Sequence, residues 1–330
     1  MPKTYDVAGI GNAIVDVIAP VDDAFLLDHK IAKGVMTLID EFRAEQLFSA
    51  FGDTREIAGG SAANTMVGVA SFGGKGLFVG KVKDDRLGQG FAASLKDTGT
   101  HYTTRFAKDG PATACCLIAV TPEGQRSMST FLGASRELKP ADIDEDAMAQ
   151  AQILYIEGYQ WDAPESKAAI TKAMSATKKA GGKVALTLSD PFCVGRNRDE
   201  FLELYKTRVD VLFANEDEIK ALFEVNTFDD ALQAVKAWPG TAALTRAARG
   251  CVAVRGDDVH VIDAVPVPQV LDTTGAGDQF AAGFLFGLTH GRSLGECGRL
   301  GVIAAGEVIT HYGARPETPF NVLAAAAGLA

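Results

Sequence analysis

One glycine-rich stretch, Asp-Thr-Thr-Gly-Ala-Gly-Asp-Gln-Phe over residues 272–280, constrains the fold and chemistry of this chain more than any other feature. The segment before it, residues 265–271, contains two prolines, which exclude a helix and favour extended backbone. After it, apolar residues recur at helical spacing, so the sequence predicts a buried helix that starts near Gly275. A helix N-terminus carries free N–H groups and the positive end of the helix dipole. Because Gly275, Ala276 and Gly277 lack bulky side chains, we expect them to form an anion hole there.

Asp278 falls in the first turn of this predicted helix, beside the anion hole. An aspartate at a helix start can simply favour the helix dipole, and for a lone aspartate that explanation is the better one. A carboxylate would repel a bound phosphate, however, if binding were the only task of the site. The sequence therefore predicts that Asp278 is a general base, which takes a proton from a hydroxyl while the helix end stabilises the phosphate under attack.

Composition limits the class of protein. A chain of 330 residues with 47% hydrophobic residues and 35 glycines fits a turn-rich α/β enzyme with a full core. The net charge of −10 argues against nucleic acid or an anionic membrane as a partner, and no apolar run approaches membrane-spanning length. The start of the chain has no signal-peptide pattern, and the five cysteines show neither metal-ligand nor paired spacing. These features predict a cytoplasmic protein with free thiols.

The order of strands and helices predicts the fold class. From about residue 135 onward the two alternate, which is typical of a doubly wound α/β domain with a mostly parallel central sheet and helices on both faces. Residues 17–57 and 101–132 break this rhythm with short strands. We therefore predict one domain over residues 1–330, in which these two insertions form a small β-sheet lid.

Polar residues occupy two predicted turns in the first part of the chain. Asn12 and Asp16 follow the first strand, at the edge where open α/β sheets bind ligands, although a turn-forming Asn and a solvated Asp explain them equally well. A glycine pair ending at Gly60 permits a tight turn into a helix with bare N–H groups. Ser61 and Asn64 share one face of that helix, as substrate ligands or as an ordinary cap and surface residue.

These motifs resemble the signatures of the PfkB, or ribokinase-like, family of small-molecule kinases. Residues 272–278 resemble its C-terminal signature, followed by Gln279 where the family generally carries a smaller residue, and residues 59–64 match its N-terminal Gly-Gly-x-x-x-Asn pattern. The resemblance covers essentially the whole chain. It implies transfer of the γ-phosphoryl group of ATP, with Mg²⁺, to a primary hydroxyl of a small molecule by a monomer or homodimer.

The resemblance also implies roles for residues of the acceptor site. Asp16 would hold the acceptor's hydroxyl groups, and Arg126 would be a lid cation near the transferred phosphoryl group. The other implied acceptor-site residues are Asn12, Gly60, Ser61 and Asn64.

On the nucleotide side, the resemblance places Asn215 and Glu218 near Mg²⁺ and the phosphates through water, although a helix cap explains this spacing as well. Thr245 and Gly250 match two positions of a family nucleotide-site pattern in which Ala247 replaces a glycine. The implied ATP-binding residues are Asn215, Thr245, Gly250 and Gly277. Family members often bind a monovalent cation such as K⁺ around Asp272 and Thr274, and the sequence leaves open whether this chain does.

Within the family, the chain is more similar to the adenosine-kinase branch than to ribokinases, because residues 11–16, 59–64 and 125–132 resemble that branch. A purine needs an apolar, aromatic slot, for which Phe131, Phe192 and Leu38 are candidates, although each could equally belong to the core. The expected acceptor is the 5′-OH of adenosine. The alternatives are a kinase of a free sugar, such as ribose or fructose, and a non-catalytic binding module that keeps the fold.

Overall fold

A computed structural model describes residues 3–329, so residues 1, 2 and 330 of the predicted domain lie outside it. Strands and helices alternate along most of this range. The strands are β1 (Tyr5–Ile10), β2 (Ile14–Pro20), β3 (Met36–Leu38), β4 (Arg55–Ala58), β5 (Gly76–Val79), β6 (His101–Tyr102), β7 (Ala114–Val120), β8 (Arg126–Phe131), β9 (Ala151–Glu157), β10 (Lys183–Thr187), β11 (Val211–Asn215), β12 (Thr241–Thr245), β13 (Cys251–Arg255) and β14 (Asp258–Ile262).

The helices follow most of these strands and connect them. They are α1 (Asp23–Asp28), α2 (Glu41–Ala50), α3 (Ser61–Ser71), α4 (Arg86–Asp97), α5 (Glu145–Ala149), α6 (Pro164–Lys179), α7 (Pro191–Thr207), α8 (Glu216–Phe223), α9 (Phe228–Lys236), α10 (Ala276–Thr289), α11 (Leu294–Val308) and α12 (Phe320–Ala326). Short 3₁₀ turns lie at Gly133–Glu137, Pro140–Asp142, Gly158–Asp162 and Ala247–Arg249. No helix in the described part of the chain is both long and apolar enough to cross a membrane.

Nine strands form one large sheet in the order β14-β13-β12-β11-β10-β9-β1-β5-β6. Its neighbours run parallel except for β12 with β13 and β13 with β14. Successive residues of β9 enter two separate cores: Tyr155 packs in the core that includes α3 and α10, and Leu154 in the core that includes α6 and α7. A parallel sheet buried on both faces requires such apolar strands. The predicted doubly wound α/β fold is confirmed.

The strand order of the large sheet reverses between β1 and β9, since the chain extends outward from β1 in both directions. In open α/β sheets, ligands bind beyond the carboxyl ends of the strands at such a reversal. This places Asn12, which follows β1, and Glu157, which ends β9, at the expected binding edge.

A second, small sheet has the order β3-β8-β7-β2-β4. Its strands lie in or beside the two segments that the sequence predicts as insertions, and β2 with β7 and β3 with β8 pair from one segment to the other. Its role as a lid stays a prediction.

One cross-strand row of the small sheet contains Asp16, and directly paired residues point to the same face. The row consists of Leu38, Thr130, Cys116, Asp16 and Ile57. By alternation along β8, Arg126 shares that face with Thr130. The opposite face, which includes Val15 and Leu117, packs into the core with α1 and α2. The face of Asp16 is therefore the one left for a ligand.

Candidate active site

Helix α10 begins where the sequence predicts, with Gly275 as its N-cap in a left-handed conformation (φ +81°). A Cβ atom on Gly275 would lie 2.5 Å from the Cβ atom of Ala314, so both backbone and packing require glycine. A Cβ atom on Gly277 would meet no atom within 4 Å. The N–H group of Ala276 donates to Thr273, whereas those of Gly277 and Asp278 have no partner within the described residues. Two free donors thus face open space, which is what a phosphate oxygen needs.

The carboxylate of Asp278 is held by two side chains of α3. Ser61 Oγ donates to Asp278 Oδ1 at 2.6 Å, and Asn64 Nδ2 donates to Asp278 Oδ2 at 3.1 Å. Burial raises the pKa of Asp278 above its ordinary value, against the opposing effect of these two hydrogen bonds. Two hydrogen bonds orient this half-buried carboxylate, and its raised pKa lies closer to neutral pH. Both properties suit a group that accepts a proton.

Two cavities meet at the start of α10, where Thr245, Gly277 and Phe280 line both. The smaller, about 190 Å³, also contains Asp278 and Glu218. The larger, about 590 Å³, is predominantly apolar, and its walls include Val265, Val267, Val302, Ala305 and Ile309. These wall residues were not identified from the sequence, because they come from a loop and a helix with no nucleotide-site pattern of their own.

The loop between β12 and β13 borders the larger cavity. Gly250 has a φ of +75°, and a Cβ atom there would lie 2.0 Å from the carbonyl oxygen of Ile262. Ala247 adopts a φ of +49°, a left-handed conformation that costs a non-glycine residue roughly 1–2 kcal/mol. The alanine thus keeps the backbone conformation expected of the glycine that it replaces.

Asn215 and Glu218 form a reciprocal cap at the start of α8. Asn215 Oδ1 accepts from the N–H group of Glu218 at 2.8 Å, and Glu218 Oε2 accepts from the N–H group of Asn215 at 2.9 Å. The cap explanation of this spacing is therefore realised, yet Glu218 still lines the smaller cavity, where burial raises its pKa to about 7. No group of three or more acidic, His or Cys side chains among the described residues could hold a metal ion. This fits Mg²⁺ bound mainly by phosphates and water, and contact of Asn215 and Glu218 with Mg²⁺ through water stays a prediction.

Asp272 connects the glycine-rich loop to the small sheet. It accepts hydrogen bonds from Thr274, from the N–H group of Gly313 at 3.1 Å, and from Arg126, with which it forms an ion pair. Burial acts to raise the pKa of Asp272, but these hydrogen bonds outweigh it and hold the pKa below its ordinary value. Arg126 is thereby fixed beside the anion hole. A monovalent cation at Asp272 and Thr274 stays a prediction.

Glu157 is a site residue that the sequence analysis missed. Its carboxylate is 1% exposed and accepts from Asn12 Nδ2 at 2.8 Å and from the N–H group of Ala62 at 3.0 Å. The glycine pair before α3 predicts free N–H groups at the start of that helix. The N–H group of Ala62 is not free, however, because it donates to Glu157. Gly60 has a φ of +92°, and a Cβ atom there would lie 2.2 Å from the carbonyl oxygen of Asn12. A polar residue that ends an apolar strand was the available signal for Glu157.

Asp16 lies against Gly59, where an added Cβ atom would be 2.9 Å from Asp16 Oδ2, and the charge of Asp278 reaches it. Burial raises the pKa of Asp16 to about 6, although the positive charges of Arg126 and Arg315 lower it. Within the described chain, no hydrogen-bond donor reaches its carboxylate oxygens. The acceptor capacity of Asp16 is therefore free for a ligand.

A third cavity, of about 440 Å³, lies along the small sheet. Leu38 and Thr130, which share the face of Asp16, line it, and Thr130 is two strands, or about 10 Å, from Asp16. Phe131 also lines it, although its 8%-exposed ring belongs to the core face of the sheet. Phe192 is 80% exposed in the first turn of α7 and lines none of the three cavities, so its stacking role stays a prediction.

Gln279, the departure from the family pattern, is fully buried between α10 and α3. Its Nε2 donates to the carbonyl oxygens of Asn64 at 3.1 Å and Ala314 at 2.7 Å. Gly68 makes room for it, since a Cβ atom on Gly68 would lie 2.1 Å from Gln279 Oε1. The larger side chain is thus accommodated, and it ties the Asn64 segment to α10.

Comparison with known proteins identifies the class. Residues 35–321 match the family described as pfkB family carbohydrate kinase, and the chain belongs to this family. It is accordingly a phosphotransferase with an alcohol group as acceptor, of a family that uses ATP and typically Mg²⁺. This excludes the non-catalytic module considered from the sequence.

The similar proteins include both adenosine kinases and sugar kinases, so they do not decide between the two acceptors. The chain is similar to the adenosine kinase of Sinorhizobium meliloti (48% identity, TM-score 0.90, covering 98% of this chain and 99% of that one). It is equally similar to a probable sugar kinase protein from Rhizobium etli CFN 42 (45% identity, TM-score 0.92, covering 99% and 100%). Adenosine kinase 1 of Arabidopsis thaliana is 28% identical over 340 residues, which cover 95% of this chain and 97% of the relative.

The open space beside Gly277 leads to a first prediction. We expect Gly277→Val to fold normally, because a Cβ atom there would meet no other atom within 4 Å. We also expect it to lose about 10²-fold or more in kcat, because the branched side chain fills the space before the free N–H groups. Steady-state kinetics and thermal denaturation measure both quantities. Gly275→Ala is the contrasting variant: its clash with Ala314 should lower the melting temperature. Full kcat in a folded Gly277→Val would show that no phosphate binds there.

Proposed function

We propose that the chain transfers the γ-phosphoryl group of ATP to the 5′-OH of adenosine. The observation that carries this proposal is the row across the small sheet, in which Asp16 and Thr130 share one face about 10 Å apart. Asp16 would accept hydrogen bonds from vicinal ribose hydroxyls, and the cavity at Leu38 and Thr130, which has both apolar and charged walls, has room for a purine. A free sugar would fill the polar end and leave this cavity empty.

In the proposed reaction, groups at the start of α10 act on the acceptor hydroxyl and on the phosphoryl group that it attacks. ATP would provide the phosphoryl group, and Mg²⁺, held mainly by its phosphates and water, would neutralise part of their charge. Asp278, oriented by Ser61 and Asn64, accepts the proton of the attacking hydroxyl. The free N–H groups of Gly277 and Asp278 stabilise the negative charge that develops on the phosphoryl oxygens.

The larger cavity beside Gly277 is the proposed site of the ATP base and ribose, because it is apolar and joins the anion hole. We expect Ala305→Phe, which places a ring in that cavity, to raise the KM for ATP at least about 10-fold. The KM for the acceptor should change little. Ala325→Phe on the exposed side of α12 is a matched control for the added ring. An unchanged KM for ATP in Ala305→Phe would show that the nucleotide does not bind in this cavity.

A kinase of a free sugar, such as ribose or fructose, is the second candidate, and the similarity to a probable sugar kinase supports it. A coupled assay of ADP release with adenosine, other nucleosides, ribose and fructose separates the two. The adenosine proposal requires kcat/KM for adenosine to exceed that for the free sugars by at least about 10²-fold. Preference for ribose or fructose would overturn it.

The same assay in added KCl or NaCl tests the proposed monovalent cation. The buried, unpaired state of all five cysteines supports the cytoplasm as the compartment of action, because a reducing environment keeps thiols free.

A further inference from the structure

We propose that Arg315 is a positioning residue of the acceptor site, which acts by keeping the carboxylate of Asp16 ionised for hydrogen bonding to the acceptor. The inference rests on the proposed function, in which Asp16 binds the acceptor's hydroxyl groups. No sequence motif singled out Arg315.

The loop that carries Arg315, between α11 and α12, is anchored to the catalytic end of the molecule. The N–H group of Gly313 donates to Asp272 Oδ2 at 3.1 Å, and the carbonyl oxygen of Ala314 accepts from Gln279 Nε2 at 2.7 Å. Arg315 Nη1 then donates to Ser94 Oγ of α4 at 2.6 Å. Because three separate elements hold these three residues, the position of the guanidinium is closely determined.

The guanidinium of Arg315 is under-used as a hydrogen-bond donor. Its Nε and Nη2 atoms are buried and have no partner among the described residues. A buried cation with so few hydrogen bonds is costly unless an opposite charge is near. A Cβ atom on Gly313 would lie 3.9 Å from Ile57 Cδ1, and Ile57 pairs directly with Asp16 across β4 and β2, so the loop of Arg315 packs beside Asp16. The carboxylate of Asp16 is thus the opposite charge near Arg315: burial lowers the pKa of Arg315 to about 10, and Asp16 acts to raise it.

The charges around Asp16 determine how strongly Arg315 affects the ionisation of its carboxylate. Asp278 from α10 and Asp272 from the glycine-rich loop both disfavour a negative charge on Asp16. The neighbouring thiols of β7, Cys115 and Cys116, are neutral because burial raises the pKa of each.

Two cations oppose this effect, Arg126 from β8 and Arg315 from the loop. Arg126 already forms an ion pair with Asp272. Arg315 forms no ion pair in the described chain, so no bound carboxylate offsets its charge, which adds to the larger effect of Arg126 in stabilising the Asp16 carboxylate.

Loss of the charge of Arg315 changes the pKa of Asp16 in a defined direction. Burial raises the pKa of Asp16 to about 6 while both arginines are present. Without Arg315 the pKa rises further, so that Asp16 becomes protonated at pH values where the native carboxylate is charged. A protonated carboxyl group loses the charge-assisted part of its hydrogen bonds, and acceptor binding weakens first on the acid side.

The test measures the dissociation constant of adenosine without ATP, by calorimetry across pH, for the native enzyme, Arg315→Met, Arg315→Lys and Asp16→Asn. If the panel selects ribose, ribose replaces adenosine as the probe. We expect the pH at which native binding weakens to move upward by about one unit in Arg315→Met, and to return most of the way in Arg315→Lys. The KM for ATP should stay within about twofold.

An Arg315→Met variant that weakens binding equally at every pH, or not at all, would overturn the inference, because a merely structural residue does not move the pH dependence. Arg315→Gln, which keeps a donor for Ser94 and removes the charge, replaces the Met variant if that protein does not fold. Native affinity in Asp16→Asn would instead refute the role of Asp16 in the proposed function. Weak binding by Asp16→Asn together with an unmoved pH dependence in Arg315→Gln would refute the inference alone.

Discussion

Asp278→Asn is expected to lower kcat by about 10²–10⁴-fold while the dissociation constants of both substrates change little. The amide has the shape of the carboxylate and can still contact Ser61 and Asn64, so the loss isolates proton transfer. The free N–H groups beside it remain, which leaves residual activity from positioning and charge stabilisation. Stopped-flow or steady-state kinetics at saturating substrates measure this loss.

The pH dependence of kcat provides a second test of Asp278. A base must be ionised to act, so kcat falls as pH falls through its pKa, and burial raises that pKa above the ordinary value for an aspartate. We expect the native acid limb to lie at higher pH than for an ordinary carboxylate, and to be absent from Asp278→Asn. Asp229→Asn is the matched control, since Asp229 stands in the first turn of α9 and is exposed. Equal losses of kcat in Asp278→Asn and Asp229→Asn would show that Asp278 is not a general base and only stabilises the start of its helix.

Asp16→Ala should produce the largest defect on the acceptor side. It would remove the two charge-assisted hydrogen bonds proposed between Asp16 and the acceptor, each worth about 1.5–3 kcal/mol, which together correspond to about 10²–10⁴-fold in kcat/KM. The KM for ATP should be spared, because no residue of the small sheet lines the predominantly apolar cavity proposed for the nucleotide. A panel of ribose-bearing acceptors measured with native and variant enzyme gives both values.

Asp53→Ala, which removes an exposed carboxylate from the same early segment, is the control for a general change in charge. Native kcat/KM in a folded Asp16→Ala would show that the acceptor's hydroxyl groups bind elsewhere. A defect shared by ATP and acceptor alike would indicate a general disturbance of the small sheet rather than lost hydrogen bonds.

Much of the local structure follows from neighbouring residues. The prolines of residues 265–271 and the glycines at Gly275 and Gly277 specify an extended segment and a helix start, because backbone sterics act over a few residues. The spacing of Ser61 and Asn64 puts both on one face of α3. Alternation and helical periodicity likewise identify the two strand-bearing insertions and the doubly wound class of the fold.

The composition of the site depends on contacts that no local pattern encodes. Ser61 and Asp278 are separated by 217 positions along the chain, and they meet because α3 and α10 pack on the same face of the large sheet. Glu157 reaches the start of α3 only because β9 pairs with β1. Such pairings depend on strand order, which periodicity within a strand cannot specify.

The same reason explains why the sequence singled out Phe192 and passed over Arg315. An aromatic residue after a strand looks like a candidate for a purine slot, but α7 holds Phe192 on an exposed turn. In the sequence Arg315 is an ordinary residue of a C-terminal loop; in the fold, Gln279 and Asp272 anchor that loop beside α10. Short-range sterics and periodicity act along the chain, whereas burial and charge act through space, so residues of the second kind become visible only in the folded protein.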